Sequence, residues 1–345
     1  MSNNPVITKA VQAVKPLFWG IDIGGTGIKI GLVDDLGQSI FYDSIPTQEA
    51  RGPQEAVDRI AKTILDAEDN LGVSESVVAA GLGTPGPMDI PKGLLVEPPQ
   101  LPTWKGFYIR DAVSQSIGRP VAFQNDANAA AYGEFWLGSG RDDRSMTLLT
   151  LGTGVGAGVI VDGELVDGVN SFGGECGHMI VDPSPDARLC AWGGGRGQLE
   201  AYASASGVVE RTKQKLADGN KSCLDRESIS AKGVYEAAIQ GDTLSLAIID
   251  ETAMWLGIGI TSIIHILDSG SVVLGGAMNF GGPECRIGQR FLSKVVEEFR
   301  GRTFENVFQG TTISFAQLGP HAGYLGVAGY ARKEYMAGNL TTPVI

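Results

Sequence analysis

The chain has 345 residues, 43% hydrophobic and 19% charged, which is the balance of a globular protein long enough for two domains. Its net charge of −12 at pH 7 argues against binding to a nucleic-acid backbone or an anionic membrane surface. Its four cysteines lack a disulfide-framework spacing and its first 16 residues lack an apolar signal core, so we expect a cytoplasmic protein.

The first part of the chain predicts a strand, a glycine turn and a second strand, followed by helices and shorter strands. β-Branched and apolar residues flank the turn, and apolar positions with helical spacing follow it. In chain order the predicted elements are a strand pair over 17–33, a helix over 53–70, strands over 77–82 and 121–123, and a helix over 127–137.

The second part repeats this order. Strands over 146–151 and 158–161 flank another glycine turn, and Asp162-Gly163 predicts a further hairpin. Residues 252–267 carry no Asp, Glu, Lys or Arg, but this run is shorter than the roughly 20 residues that span a bilayer, so we predict a buried helix. Strands over 271–274 and 311–315 and a helix over 322–335 complete the chain.

Two units of the same type predict a duplicated α/β architecture. We expect a smaller first domain of residues 17–123 and 320–345, and a larger second domain of residues 124–319 that carries a sugar-binding segment. A cleft between the two halves is the expected place for an active site.

Three glycine-rich loops favour a polyphosphate ligand. They are Asp22–Lys29, Leu151–Gly158 and Leu274–Met278. Glycine lets backbone N–H groups approach an anion closely, and Thr26 and Thr153 add hydroxyl donors. One such loop alone is more often a structural turn, but three together indicate nucleotide binding. The chain has no Walker loop, and the first loop leads into a strand rather than the helix of a dinucleotide fingerprint.

The Asn125-Asp126 pair is the candidate for proton transfer. A carboxylate within hydrogen-bond reach can orient an attacking hydroxyl and accept its proton, and Asn125 can bond a neighbouring hydroxyl. Both residue types are also common helix N-caps, and a helix follows here. The local sequence leaves both interpretations open.

A second polar cluster lies in Phe172–His178, where two glycines precede Glu175 and His178 follows three residues later. A carboxylate and an imidazole held this way can bind hydroxyls, although a lone histidine is more often a satisfied core residue. We interpret His265 as structural and His321 as a helix-start residue. Cys176, His178 and Cys190 supply fewer than the four ligands of a structural zinc site.

Together these segments resemble the ROK family of sugar kinases and repressors, in particular its bacterial glucokinase-like members, from about Phe18 to Ala337. The resemblance is carried, in order, by Asp22–Lys29, Pro85–Asp89, Leu101–Trp104, Asn125–Asn128, Leu151–Gly158, Glu175–His178 and Leu199–Ser204. It implies an actin-like ATPase fold, with two RNase H-like domains flanking an active-site cleft that binds a hexose and ATP–Mg²⁺.

The resemblance also implies roles for individual residues. It assigns Asp126 as the general base. The implied substrate ligands are Asn125, Glu175, His178 and Glu200, with Gly86 in the motif before them. The implied nucleotide-binding residues are Gly24, Gly25, Thr26, Lys29, Thr153, Gly154, Gly275 and Gly276.

One segment departs from the family pattern. The family usually has Cys-x-Cys-Gly-x-x-Gly-Cys-x-Glu, which binds zinc together with the motif histidine. Here Trp192 and Gln198 match the second and third cysteines, while Cys190 and His178 are kept. We therefore expect no zinc and no other metal held by side chains, and we hypothesise that Trp192 supports His178 and Glu200 instead.

The sequence thus predicts an ATP-dependent kinase for the 6-hydroxyl of a hexose, with glucose favoured. An N-acetylhexosamine or fructose kinase of the same family is an alternative, and a non-catalytic sugar sensor is another. Polyphosphate or ADP as donor would need similar turns. About 17 residues precede the region of resemblance, too few for the DNA-binding module of family repressors, so we expect no such module. The resemblance also implies a homodimer or homotetramer.

Overall fold

The structure is a computed structural model that describes residues 5–191 and 194–340. Its strands are β1 Leu17–Ile23, β2 Gly27–Val33, β3 Ser39–Pro46, β4 Val77–Thr84, β5 Met88–Asp89, β6 Leu94–Leu95, β7 Val121–Asn125, β8 Met146–Leu151, β9 Val155–Val161, β10 Glu164–Leu165, β11 Ser271–Gly275 and β12 Thr312–Phe315. Its helices are α1 Pro53–Leu71, α2 Ile109–Ile117, α3 Asp126–Leu137, α4 Glu200–Ala203, α5 Ala205–Ala217, α6 Ala231–Ile239, α7 Thr243–Leu267, α8 Arg286–Arg302, α9 Glu305–Gly310 and α10 Ala322–Met336.

The first of two compact units comprises the chain up to Arg141, Leu165–Gly173, and the chain from Leu318 onward. Its sheet has the order β3-β2-β1-β4-β7, in which β1, β4 and β7 run parallel and β2 is antiparallel to both its neighbours. Alternate β1 residues such as Trp19 and Ile21 join a core with α1 and α2, whereas Phe18 joins a second core with α10. The period of two in β1 therefore builds helical layers on both faces of the sheet.

Helix α10 lies unusually close to this sheet because glycines face it. A Cβ atom on Gly20 would overlap the carbonyl of Tyr324, and one on Gly81 would overlap the carbonyl of Val327. On its other side, a Cβ on Gly326 would overlap the carbonyl of Ala129 in α3. The sheet, α10 and α3 are consequently joined backbone to backbone, with no room for side chains at these points.

The second unit comprises Asp142–Glu164 and Gly174–Gln317. Its sheet order, β10-β9-β8-β11-β12, repeats that of the first unit: β8 is antiparallel to β9 and parallel to β11, which is parallel to β12. The predicted duplication is confirmed by this repeated order. Helices α4 to α9 belong to the same unit.

The predicted buried helix is α7, and it is longer than the uncharged run. It begins at Thr243 because the Asp242 side chain caps it, accepting from the Ser245 N–H at 2.8 Å. Among the described residues, α7 is the one helix whose length and composition would allow it to cross a membrane. Its most apolar window has a mean hydropathy of 1.4. Since 61% of that window is buried inside the fold, α7 has the character of a core helix.

The domain division differs from the predicted border near residue 123. It falls at Arg141/Asp142 and near residue 318, and Leu165–Gly173 returns to the first unit. The reason is the contact of α3 with α10, where Gly133 also meets the backbone of Ala322. Strand β3 and helix α2 are among the elements that were not predicted. Strand β3 is half exposed, so its alternation is weak, whereas Ile109, Val113 and Ile117 of α2 do show a readable helical spacing.

Candidate active site

In the first unit, three parallel strands end at the same edge of the sheet. Strand β1 ends at Ile23, β4 at Thr84 and β7 at Asn125, with Thr84 directly paired to Asn125. The first glycine turn, the Pro85–Pro87 turn and Asp126 follow these ends. Ligands of α/β folds bind at this edge, so the topology brings the predicted base and the first predicted phosphate turn to one place.

Asp126 is the exposed first residue of α3. Its Oδ1 atom accepts from the Ala127 N–H at 2.8 Å, and Asn125 Oδ1 accepts from the same N–H at 2.9 Å. The cap interpretation is therefore correct for Asn125. A carboxylate at a helix N-terminus is favoured electrostatically, so the cap geometry and a role as base are compatible. Gly86 lies beside Asn125, since a Cβ on it would stand 3.4 Å from the amide nitrogen.

A polar network beneath this edge was missed by sequence reasoning. Asp167 accepts from the side-chain amide of Gln124 at 3.1 and 3.0 Å and from that of Asn128 at 3.1 Å, while Asn128 also donates to Gln124 Oε1 at 3.1 Å. Burial raises the pKa of Asp167, against the lowering effect of the Gln124 amide. The spacing of four between Gln124 and Asn128 was a readable signal, whereas nothing local marked Asp167.

The first glycine turn is tied to the end of β3. The Gly24 N–H donates to the Gly27 carbonyl at 2.9 Å. Thr47 donates to the turn twice, from its hydroxyl to the Gly24 carbonyl and from its N–H to the Thr26 carbonyl. Lys29 donates to Asp22 at 3.1 Å. The turn that contains Gly25 is thus held by backbone bonds, and the Lys29 ammonium is oriented by Asp22, its partner across the two strands that flank the turn.

The second unit repeats this edge. Strands β8 and β11 are paired up to Thr150 and Gly275. The Met278 N–H then donates to the Leu151 carbonyl at 2.9 Å, and Gly276, at φ +88°, lies so close that a Cβ would overlap the Leu151 backbone. The Gly275-Gly276 turn therefore stands at the base of the Gly152–Gly154 turn. Positive φ and this contact both require glycine there.

Glu200 binds the second glycine turn directly. Its Oε2 atom accepts from the Val155 N–H at 2.9 Å and fills the space beside Gly154, where a Cβ would overlap it. The Ser206 hydroxyl donates to the Thr153 carbonyl at 2.9 Å. A residue predicted to bind sugar and a turn predicted to bind phosphate are consequently joined in one structure.

Glu175 and His178 lie together in the same unit. Glu175 Oε2 is 3.6 Å from His178 Nε2, beyond hydrogen-bond distance. Burial raises the pKa of Glu175, against the lowering effect of His178, and the Glu200 charge raises it further. Of the predicted sugar ligands in this unit, His178 and Glu200 are therefore close enough to Glu175 to shift its pKa.

The segment that departs from the family pattern holds an amide where the family has a metal ligand. Gln198 Oε1 lies 3.3 Å from His178 Nδ1 and accepts from the Cys190 thiol at 2.9 Å. Cys176 is buried, and burial raises the pKa of its thiol to about 11, which disfavours a thiolate ligand. Within residues 5–191 and 194–340, no group of three or more metal-binding side chains is found. These residues do not fit a structural zinc. The support hypothesised for Trp192 lies outside the described residues.

The predicted site residues divide evenly between the two units. The first unit holds Gly24, Gly25, Thr26, Lys29, Gly86, Asn125 and Asp126, and the second holds Thr153, Gly154, Glu175, His178, Glu200, Gly275 and Gly276. Of the remaining histidines, His265 is exposed and bonds the Thr303 hydroxyl at 3.1 Å, and His321 precedes α10 as predicted.

Two α/β units with the same strand order, each opening on a strand, a glycine turn and a strand, define the actin-like ATPase fold. Residues 18–334 match the family model described as the ROK family. The chain belongs to this family.

Relatives of two kinds are found within it. A glucokinase from Thermotoga maritima is 32% identical over 323 residues, which are 91% of this chain and 97% of that protein. A xylose repressor from Caldicellulosiruptor bescii is 29% identical over 330 residues, which are 93% of this chain and 79% of the repressor.

Solved structures of ROK-family kinases also match the chain. A ROK hexokinase from Thermus thermophilus matches with a TM-score of 0.78 and 30% identity, covering 93% of this chain and 100% of that one. A ROK-family glucokinase from Streptomyces griseus, solved in complex with glucose and AMPPNP, matches with a TM-score of 0.68 and 30% identity, covering 92% and 99%.

Proposed function

We propose that this protein is an ATP-dependent glucokinase that transfers the γ-phosphoryl group of Mg–ATP to the 6-hydroxyl of glucose. The observation that carries the proposal is that Asp126 and a glycine turn follow the carboxyl ends of parallel strands at the same edge of one sheet, in a chain 30% identical to a glucokinase solved with glucose and AMPPNP. We further propose a cytoplasmic homodimer or homotetramer that serves glycolysis.

Asp126 is the proposed general base. A sugar hydroxyl is far too weak an acid to ionise at neutral pH, so a carboxylate that orients it and accepts its proton contributes roughly 10²–10⁴-fold. The bond from the Ala127 N–H fixes one carboxylate oxygen. This anchor reduces the reorganisation needed when the hydroxyl binds, because the rotamer is already set.

The proposed sugar ligands are Asn125, Glu175, His178 and Glu200, with the Gly86 turn shaping the space beside Asn125. Each is a polar group that loses its partner when a hydroxyl is missing from the substrate. A site of this kind discriminates by leaving polar atoms unpaired, which costs more than a lost apolar contact.

The proposed phosphate ligands are the backbone N–H groups of Gly24, Gly25 and Gly154, the hydroxyls of Thr26 and Thr153, and the ammonium of Lys29, with Gly275 and Gly276 near the adenosine. Mg²⁺ enters as part of the Mg–ATP substrate, and its charge neutralises the transferred phosphoryl group. In such a reaction the protein contributes positioning and electrostatics rather than covalent chemistry, which is consistent with turns held rigid by backbone bonds.

A sugar panel tests the proposal. Initial rates with Mg–ATP are measured on glucose, N-acetylglucosamine, N-acetylmannosamine, mannose and fructose, with Asp126→Asn as the control. A preference for glucose that the variant loses supports a glucokinase. A preference for another sugar would reassign the substrate within the family. Sugar binding without turnover on any member would support a sensor, the function suggested by the repressor relative.

A further inference from the structure

Gln198 is held by backbone bonds on both sides of the chain. It forms a β-bridge with Ile180, and the adjacent Leu199 N–H donates to the Met179 carbonyl at 2.9 Å. On the other side, the Gly197 N–H donates to the Arg188 carbonyl at 2.8 Å. These backbone bonds fix the position of the Gln198 Cα atom.

The side-chain amide of Gln198 occupies a cradle formed by a glycine. The Cys190 N–H donates to the Gly195 carbonyl at 3.1 Å, which places Gly195 beside Cys190. A Cβ atom on Gly195 would overlap the Gln198 amide. Any other residue at position 195 would push this amide away, so the glycine leaves the space that the amide fills.

Two donors converge on one oxygen inside this cradle. Gln198 Oε1 accepts from the buried Cys190 thiol at 2.9 Å and lies 3.3 Å from His178 Nδ1. With the Gln198 amide oriented so that Oε1 faces the ring, this contact is a hydrogen bond only when His178 Nδ1 carries the proton, because a carbonyl oxygen can only accept. In a neutral imidazole the lone pair then resides on Nε2.

We propose that Gln198 is a positioning residue that stands in for a metal. It fixes His178 as the Nδ1–H tautomer, so that Nε2 presents a hydrogen-bond acceptor beside Glu175 Oε2, 3.6 Å away. Two neighbouring acceptors bind two hydroxyl donors, such as those of a vicinal diol. The sugar-binding part of this inference rests on the proposed function, whereas the tautomer part does not.

Imidazole nitrogen NMR tests the tautomer directly. Protein labelled with ¹⁵N-histidine gives signals from three imidazoles. The His178 signals are those that disappear in the His178→Gln variant. At pH 8 we expect a protonated Nδ1 and an unprotonated Nε2 for His178 in the wild type. In Gln198→Leu the Glu175 carboxylate attracts the proton to Nε2, so the pattern inverts. Gln198→Glu keeps an acceptor oxygen and preserves the wild-type pattern.

Cys190→Ala is the matched control. It removes the other donor to Gln198 and leaves the bond to His178, so the tautomer is expected to stay unchanged. An Nε2–H tautomer in the wild type would overturn the proposal without need of any Gln198 variant. An unchanged pattern in a folded Gln198→Leu variant would also overturn it, as would one zinc per chain in wild-type protein purified with added zinc.

Kinetics separate this inference from the proposed function. If glucose is phosphorylated, Gln198→Leu should raise KM for glucose by roughly tenfold, with a smaller change in kcat and in KM for ATP, since the lost bond acts on sugar binding. Gln198→Glu should restore most of the affinity. An inactive wild type would defeat the kinase proposal while leaving the tautomer result intact, and equal effects on every parameter would indicate a merely structural role for Gln198.

Discussion

Glu200 occupies the space that a side chain on Gly154 would need, and it accepts a hydrogen bond from the next N–H in the turn, that of Val155, at 2.9 Å. The carboxylate therefore helps to define the shape of the turn, in addition to its proposed role as a sugar ligand. This contact links a predicted sugar residue of the second unit to its predicted phosphate turn. A substitution in the turn should therefore also displace Glu200.

Gly154→Ala should displace Glu200 and disturb both substrates. The added methyl overlaps the carboxylate, so we expect KM for glucose and for ATP to rise together. We expect kcat/KM to fall by roughly 100-fold, as for a positioning group moved by about 1 Å. Steady-state kinetics with each substrate varied would measure this. Gly152→Ala is the matched control, since a Cβ there meets nothing within 4 Å. Equal losses in both variants would refute the coupling.

Asp126→Asn should lose turnover but keep the helix start. The asparagine oxygen can still accept from the Ala127 N–H, whereas it can no longer take a proton from a hydroxyl. We expect kcat to fall by at least about 10²-fold, with glucose affinity measured by calorimetry changing less than about threefold. Asp58→Asn on the exposed surface of α1 is the control. Retained turnover would exclude Asp126 as the base.

Lys29→Met should weaken nucleotide binding selectively. It removes the ammonium that Asp22 orients at 3.1 Å while keeping most of the side-chain volume. Loss of one charge-assisted bond to a phosphate should raise KM for ATP by roughly tenfold and leave KM for glucose nearly unchanged. Lys62→Met removes an exposed lysine of the same unit and should have no effect. A rise in the KM for glucose alone would contradict this assignment.

The positions of most strands along the chain, and of the glycine turns, could be predicted from sequence because both depend on local pattern. Apolar, β-branched runs on each side of Gly24-Gly25 and of Gly152–Gly154 are visible without any tertiary information. The site could be predicted only in part. The contact of Glu200 with Gly154 joins residues 46 positions apart, and the Asp167 network joins residues 39 to 43 positions apart, which no local signal encodes.

The domain border shows the same limit. Helix α3 looks like the start of a new unit because it follows the last strand of the first sheet. Its assignment is decided by α10, which lies far along the chain and meets it through glycine contacts at Gly133 and Gly326. Glycines inside predicted helices, which propensity counts as unfavourable, are in retrospect the signal of that close approach.

Asp167 should make stability depend on pH with a negative slope. Because burial raises its pKa above the ordinary 3.8, the folded protein holds a proton that the unfolded chain has already released. Its contribution to stability is therefore present below pH 3.8, falls as pH rises to the raised value, and stays lost above it. Urea unfolding of the wild type and Asp167→Asn should show a difference that declines across this window.

Asp182 should make stability depend on pH with a slope of the opposite sign, and it serves as an internal control. Bonds from Ser184 and from the Tyr202 hydroxyl lower its pKa, so its contribution is present above pH 3.8 and is lost as pH falls through the lowered value. The stability difference between wild type and Asp182→Asn should thus grow with rising pH. Slopes of the same sign for both variants would contradict the assignment of Asp167 as a buried, unfavourably charged group.

The order of synthesis does not match the order in which this fold can be completed. The first unit needs α10, the last helix described, to cover the face of its sheet that carries Gly20 and Gly81. A nascent chain therefore exposes this glycine-lined face until α10 has been synthesised, whereas the second unit is complete once residue 317 has been synthesised. During its production the protein depends on this late helix, and ribosome stalling before α10 would leave an open sheet for chaperones to protect.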